Sequence, residues 1–274
     1  MELMERLKSM IRKKPAIEKP AIDPSLRDCE LSGWFNQKTS ELLTGFKVRP
    51  EEIVLDIGCG EGQFSHFCAK QGAHIILADV DPEKILEAEK NVSAANPLSL
   101  KCLVTNANPI PLESDSVDKI IAMEVLEHVE NPNIFVAELF RVARPGAQIL
   151  ISVPGTASEQ LQKCLAPESY FLHPNHIRIF QPNEMETLLS QHGFIVEQSI
   201  NYGFYHALRW LFFWTCDQDM SPPWHPILKA WENTWGLVLE SKDGARIKRA
   251  LDDCLPKSQA FLVRKPDYSP TILN

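Results

Sequence analysis

Three glycines at alternate positions, Gly58, Gly60 and Gly62, follow directly on the apolar run "IVLD", which ends in Asp56. Glycines so spaced allow tight backbone turns and let a ligand approach the main chain closely. The spacing is G-x-G-x-G, whereas a dinucleotide fingerprint reads G-x-G-x-x-G. Asp56 separates the two cases further. A carboxylate at the mouth of such a loop would repel a pyrophosphate and favour an ammonium or sulfonium. Asp79 ends the next apolar run, "HIILAD", where it can accept hydrogen bonds from both hydroxyls of a ribose. Asn106, after a third run, can address the edge of an adenine. A cation, a ribose and a base along successive strand ends describe S-adenosyl-L-methionine better than a nicotinamide dinucleotide.

A second constellation lies in "MEVLEHV". Glu124, Glu127 and His128 stand at i, i+3 and i+4, a spacing that on a helix places two carboxylates and an imidazole on one face. His173 and His176 follow in "HPNHIRIF". His128 or His176 could serve as a general base or as a wall that screens water. The bland alternative is that Glu127 caps a helix and the histidines only line a pocket.

The elements that must position these residues alternate. "IVLDIG" reads as a buried strand, and Glu61 to Gln71 as a helix closed by Gly72. "HIILADV" is a second strand, and Asp81-Pro82 caps a helix to about Ala95. "SLKCLVTNA" and "VDKIIAMEV" are further strands. A helix through "NPNIFVAELFRVA" and the strand "AQILISVP" come next, then the helix "QPNEMETLLSQHGF", the strand "IVEQSINY" and a last strand from Gln259 to Lys265. Alternation of this kind implies a parallel sheet covered on both faces, with ligands beyond the carboxyl ends of the strands. Ahead of it, "SGWFNQKTSELLTGF" reads as a helix ending near Gly45. The segment "MELMERLKSMIRKK" reads as a basic amphipathic helix, able to lie on an anionic membrane or to pack on its own domain. The proline-spaced "KKPAIEKPAIDP" that follows reads as an extended linker.

The net charge of -8 over 274 residues argues against a general nucleic-acid binder. The seven cysteines are scattered, with no C-x-x-C pair, and suit free thiols in a reducing cytosol. With no signal peptide legible, a cytoplasmic location is expected, with peripheral membrane contact through the N-terminal helix.

"VLDIGCGEGQF", "LADVDPEKI", "TNANPIPLESDSVDKIIAMEVLEHV" and "RVARPGAQILISVP" together resemble the consecutive motifs of class I S-adenosylmethionine-dependent methyltransferases, and within them the broad group containing the ubiquinone-biosynthesis methyltransferases. The resemblance spans about Val54 to Pro154. It implies an α/β, Rossmann-like, doubly wound and mostly parallel seven-stranded sheet, with an aromatic helical insertion before the last strand. Residues 1–32 are expected to form the N-terminal helix and linker, and 33–274 the methyltransferase domain, with 203–258 as a substrate lid. The resemblance further implies that Asp56, Gly58 and Gly60 flank the methionine part of the donor. Asp79 would hold its ribose, Asn106 and Ala107 would sit by its adenine, and Gly62, Val80 and Met123 would line the same site. Position 106 is often an aspartate in the family, and Asn106 departs from that. Finally, Glu124, Glu127, His128 and His176 resemble the divalent-metal site of some O-methyltransferases, with Mg2+ as an example of the ion.

The insertion carries Trp210, Trp214, Trp224, Trp231 and Trp235. Such aromatic density suits an apolar or ring-bearing acceptor, and equally a satellite core or a dimer face. The expected activity is methylation of a small-molecule acceptor, with O-methylation of an apolar, aromatic or lipid-linked metabolite favoured. The alternatives are metal-independent C- or N-methylation of a sugar or other metabolite, a nicotinamide-dependent oxidoreductase, and a scaffold that has kept the fold without turnover.

Overall fold

The computed structural model of the chain describes residues 23–216 and 218–267. The expected N-terminal amphipathic helix therefore lies outside the described residues. The first element is a helix, α1 (Pro24–Leu31), capped by Asp23, whose carboxylate accepts from the Ser25 and Leu26 amides. It falls within the stretch expected to be linker, and Asp23-Pro24 is the start signal that reading passed over.

Residues 34–47 depart from the expected helix. They form three short antiparallel strands, β1 (Trp34–Asn36), β2 (Glu41–Leu43) and β3 (Phe46–Lys47). The backbone explains why. Gly33, Phe35, Ser40 and Gly45 all adopt positive φ, which no helix tolerates, and Asn36 folds the first turn by accepting from the Lys38 and Thr39 amides. Burial of Trp34, Leu42, Leu43 and Phe46 against the main sheet overrides the apparent helical spacing.

The central sheet follows the expected order of elements. It comprises β4 (Ile53–Ile57), β5 (His74–Asp79), β6 (Ser99–Val104), β7 (Val117–Met123), β8 (Ala143–Pro154), β9 (Ile195–Tyr202) and β10 (Ser258–Arg264), arranged β6-β5-β4-β7-β8-β10-β9. All pairings are parallel except those of β10, which runs antiparallel to both β8 and β9. Connecting the strands are α2 (Gln63–Lys70), α3 (Pro82–Ser93), α4 (Pro132–Val142), α5 (Thr156–Gln162) and α6 (Glu184–Gln191). A short 3-10 turn, Glu168–Phe171, lies between α5 and α6.

Alternate side chains along each strand feed two separate cores. Leu55, Ile57, Ile120, Ala122, Ile149, Ile151 and Phe261 pack with α4 and α6. Val54, Ile121, Met123, Leu150, Ala260 and Leu262 pack with α2, α3 and the three-stranded sheet. The insertion folds as α7 (Phe204–Thr215), α8 (Pro226–Glu240) and α9 (Gly244–Cys254). Its own small core joins Tyr205, Trp235 and Leu239 to Leu31 of α1. Among the described residues, no helix is long and apolar enough to cross a membrane.

Candidate active site

The carboxyl ends of β4, β5, β6 and β7 bring the expected ligand-binding residues to one edge of the sheet. Gly58, Gly60 and Gly62 all have positive φ, and two of them also admit no side chain. A Cβ at Gly58 would overlap Val125 Cγ2, and one at Gly62 would press on Val92 and Ala88 of α3. At Gly60 nothing lies within 4 Å of a Cβ position, so the loop faces open space there. Asp79 holds the loop in place: its Oδ2 accepts from the Gly60 amide at 3.1 Å and its Oδ1 from the Asp81 amide at 3.0 Å. Each oxygen keeps a lone pair for another donor.

Asp56 differs from the expectation of a carboxylate at the loop's mouth. It is 1% exposed, and its Oδ2 accepts from Ser65 Oγ of α2 at 2.7 Å. Burial pushes its carboxyl up to about 7 against that hydrogen bond. Any charge it carries would therefore reach a ligand through the loop and not by direct contact, and in full only above about pH 7. Val80 is 69% exposed, Met123 is buried, and Ala107 has a positive φ. Asn106 is exposed, and its Oδ1 accepts from the Asn108 amide at 3.1 Å.

The Glu124–His128 stretch is not a helix. Glu124 takes φ 55 and the chain turns directly after β7, so the expected i, i+3, i+4 face does not exist. The turn nevertheless gathers three of the four expected groups: ligand atoms of Glu127, His128 and His176 lie within 4.8 Å of one another. Glu124 stands apart, accepting from Ser152 Oγ and Lys257 Nζ, each at 2.7 Å. Burial alone would raise its carboxyl, but the Lys257 ammonium outweighs burial and holds it below the ordinary range.

Glu127 is 0% exposed, and among the described residues neither of its carboxylate oxygens has a hydrogen-bond partner. Burial, reinforced by the Glu124 charge, pushes its carboxyl well up. Nδ1 of His128 lies 3.0 Å from the carbonyl oxygens of both Pro174 and Asn175, so it must carry the proton. Its Nε2 then lies 3.8 Å from Glu127 Oε1. Nδ1 of His176 lies 2.8 Å from Oε2 of the buried Glu159, and the two imidazoles meet edge to face at 5.0 Å.

The insertion's tryptophans fall into two settings. Trp235 and Trp231 serve the satellite core, donating to Asp28 Oδ2 and to the Tyr205 carbonyl. Trp214 lies 5.2 Å from the Tyr170 ring, which in turn lies 4.5 Å from His176.

A sequence profile described as "Methyltransferase domain" matches residues 55–151. The chain is 31% identical over 154 residues to a protein of Mycolicibacterium smegmatis named "Probable S-adenosylmethionine-dependent methyltransferase", covering 56% of this chain and 55% of the relative. It is 35% identical over 104 residues to the ubiquinone biosynthesis O-methyltransferase of Hahella chejuensis, covering 38% of this chain and 43% of that protein. Residues 55–151 match the S-adenosylmethionine-dependent methyltransferases in sequence.

The chain spans about half the length of these curated relatives. The methyltransferase fold extends further than the sequence match: the crystal structure of the cyclase SpnF superposes with a TM-score of 0.55 over 96% of this chain and 92% of that one. At 15% identity that likeness shows the fold alone. Within the methyltransferase domain, the residues that sequence reasoning missed are Glu159, Gln162, Tyr170 and Lys257. Glu159 carried one usable signal, since it stands just beyond the carboxyl end of β8, where this fold places functional groups. Lys257 had only its place at the insertion's exit.

Proposed function

We propose that the chain transfers the methyl group of S-adenosylmethionine to a hydroxyl oxygen of a small, apolar or ring-bearing acceptor. The observation that carries the reading is His176, with its Nδ1 on the buried Glu159 carboxylate and its Nε2 left for another partner, beside His128. S-adenosylmethionine, when bound, supplies an electrophilic methyl group on a sulfonium. The loop of Gly58, Gly60 and Gly62 would admit the methionine end, and the open space at Gly60 supports that fit. Asp79 would accept from the ribose hydroxyls with its spare lone pairs. Val80, Asn106, Ala107 and Met123 would border the adenine and ribose, while Asp56 supplies negative potential from below.

His176 Nε2 would take the acceptor's hydroxyl proton as the oxygen attacks, and Glu159 would stabilise the imidazolium formed. Tyr170, Trp214 and the rest of the 203–258 insertion would exclude water and meet the acceptor's apolar part. His128, held by two carbonyls, would keep its Nε2 beside the same space.

A second reading, in which Glu127, His128 and His176 hold a divalent metal, rests on the two unpartnered oxygens of Glu127. A buried carboxylate left without donors is costly, and a cation would answer that need. Two imidazoles and one carboxylate suit manganese, iron or zinc better than magnesium, which prefers oxygen ligands. An ion held there would supply Lewis acidity toward the acceptor oxygen. Glu124, engaged by Lys257 and Ser152, is omitted from this set.

Calorimetric titration with S-adenosylhomocysteine, followed by turnover on a panel of phenols and catechols, tests both readings. The base reading expects turnover in chelator and a loss of roughly 100-fold or more in kcat for His176→Ala, with S-adenosylhomocysteine affinity retained. Activity abolished by chelator and restored by manganese or zinc would replace it with the metal reading. Absence of S-adenosylhomocysteine binding would refute both.

A further inference from the structure

We infer that Trp214, Gln162 and Glu159 form a directional chain of positioning residues. The chain fixes which nitrogen of His176 carries its proton and ties that choice to the seating of helix α7. The inference rests on the proposed role of His176, but its geometry is separate. Trp214 Nε1 on α7 donates to Gln162 Oε1 at 2.9 Å. Gln162 Nε2 donates to Glu159 Oε1 at 2.8 Å. Glu159 Oε2 meets His176 Nδ1 at 2.8 Å.

An indole nitrogen can only donate, so the Gln162 amide must turn its oxygen toward Trp214. That leaves its NH2 facing Glu159. A carboxylate can only accept, so it takes the Gln162 proton at one oxygen and the His176 Nδ1 proton at the other. Reversing the amide would set two donors against each other at one end and two acceptors at the other. Water offers no alternative route, because Gln162 and Glu159 are fully buried. The only orientation consistent with every donor leaves Nε2 of neutral His176 as a lone pair on the side of Glu127 and His128. Ring contacts run beside the bonds: Tyr170 packs on His176 and its edge meets Trp214, so α7 touches the same imidazole through two paths.

Because α7 opens the insertion, lifting it would remove the first donor and release Gln162 to reverse. Seating the insertion and preparing His176 are then one event. Glu159, Gln162 and Trp214 are positioning residues, since they act through His176.

The test is two-bond 15N–1H correlation spectroscopy of the full chain with 15N-labelled histidine, which distinguishes the two neutral tautomers. The His176 signal is assigned by its loss in His176→Asn. The unsubstituted protein is expected to show His176 protonated at Nδ1. Glu159→Gln should invert it: Gln162 still donates, so the new amide must turn its own NH2 toward His176 Nδ1, which becomes an acceptor and moves the proton to Nε2. Adding Trp214→Phe to that variant frees Gln162 to reverse and should give a mixture, with the minor tautomer rising at least several-fold. Trp210→Phe, which alters a stacked neighbour of Trp214 outside the chain of hydrogen bonds, should leave the His176 tautomer as it is in the unsubstituted protein. Retained S-adenosylhomocysteine affinity certifies each variant's fold; if Glu159→Gln fails that check, Gln162→Leu replaces it, and the chain then expects a several-fold loss of Nδ1–H exclusivity.

A His176 tautomer indifferent to Glu159→Gln, or a double variant identical to the single one, would overturn the chain whatever the activity does. Spectra as expected with full turnover in His176→Asn would uphold the chain and remove the base role instead.

Discussion

At the scale of single residues, the two carboxylates of the proposed donor site are used in opposite ways. Asp79 is half-buried and engaged by two backbone amides, so it stays available to a ligand. Asp79→Asn is expected to weaken S-adenosylhomocysteine binding by about 1–3 kcal/mol, or roughly 5- to 150-fold, read by calorimetry. Asp56 is instead shut in. Its folded carboxyl sits at about 7 against an ordinary 3.8, so the folded protein binds a proton more tightly than the unfolded chain. The stability this contributes is complete below pH 4 and is lost as the pH rises toward 7. Asp56→Asn, which keeps a partner for Ser65, should therefore gain on the unsubstituted protein between pH 4 and pH 7. A gain of about 2–4 kcal/mol is expected, measured by denaturant titration without ligand. An equal pH profile in the two proteins would contradict the placement of Asp56.

At the scale of elements, legibility followed local chemistry. The helix opened by Asp81-Pro82 stands where its cap announced it, because a cap is a contact between neighbours in sequence, and the helix read through "NPNIFVAELFRVA" opens on a cap of the same kind at Asn131. Asn131→Ala should cost about 1 kcal/mol by releasing the Asn133 and Ile134 amides at the start of α4, a shift visible in thermal unfolding. The strands at residues 34–47 were not legible, since four positive-φ positions and burial against a distant sheet decide them. The turn after β7 failed for a related reason. Glu124 and Glu127 do share a neighbourhood, but Lys257, more than a hundred positions away, pulls Glu124 aside. The donor loop could be read from its glycines and carboxylates because it is contiguous. The acceptor side could be read only in part, since Glu159, His176 and Lys257 meet through folding alone.

At the scale of the whole molecule, the insertion is anchored to α1 by a buried charge cluster. Lys248 of α9 contacts Asp28 of α1 at 3.3 Å and Ser32 at 2.6 Å, and pairs closely with Asp252. Asp252 also accepts from the Phe204 amide at the start of α7, and Trp235 of α8 donates to Asp28. One cluster thus joins all three insertion helices to α1. Lys248→Met would leave two buried carboxylates facing each other and should cost about 3–5 kcal/mol, read as a lowered denaturant midpoint. The insertion departs after Tyr202 and returns at Ser258, and these two residues are direct partners in the β9–β10 ladder. Its two ends therefore meet already joined by the sheet, like the prongs of a plug in its socket. A two-residue Asn-Gly turn could bridge them with neither strand changing register, leaving the donor half of the domain intact. Exchanging this one segment would keep the sheet's register, provided that its new side chains match α1, Glu124 and Gln162, the partners of Trp235, Lys257 and Trp214.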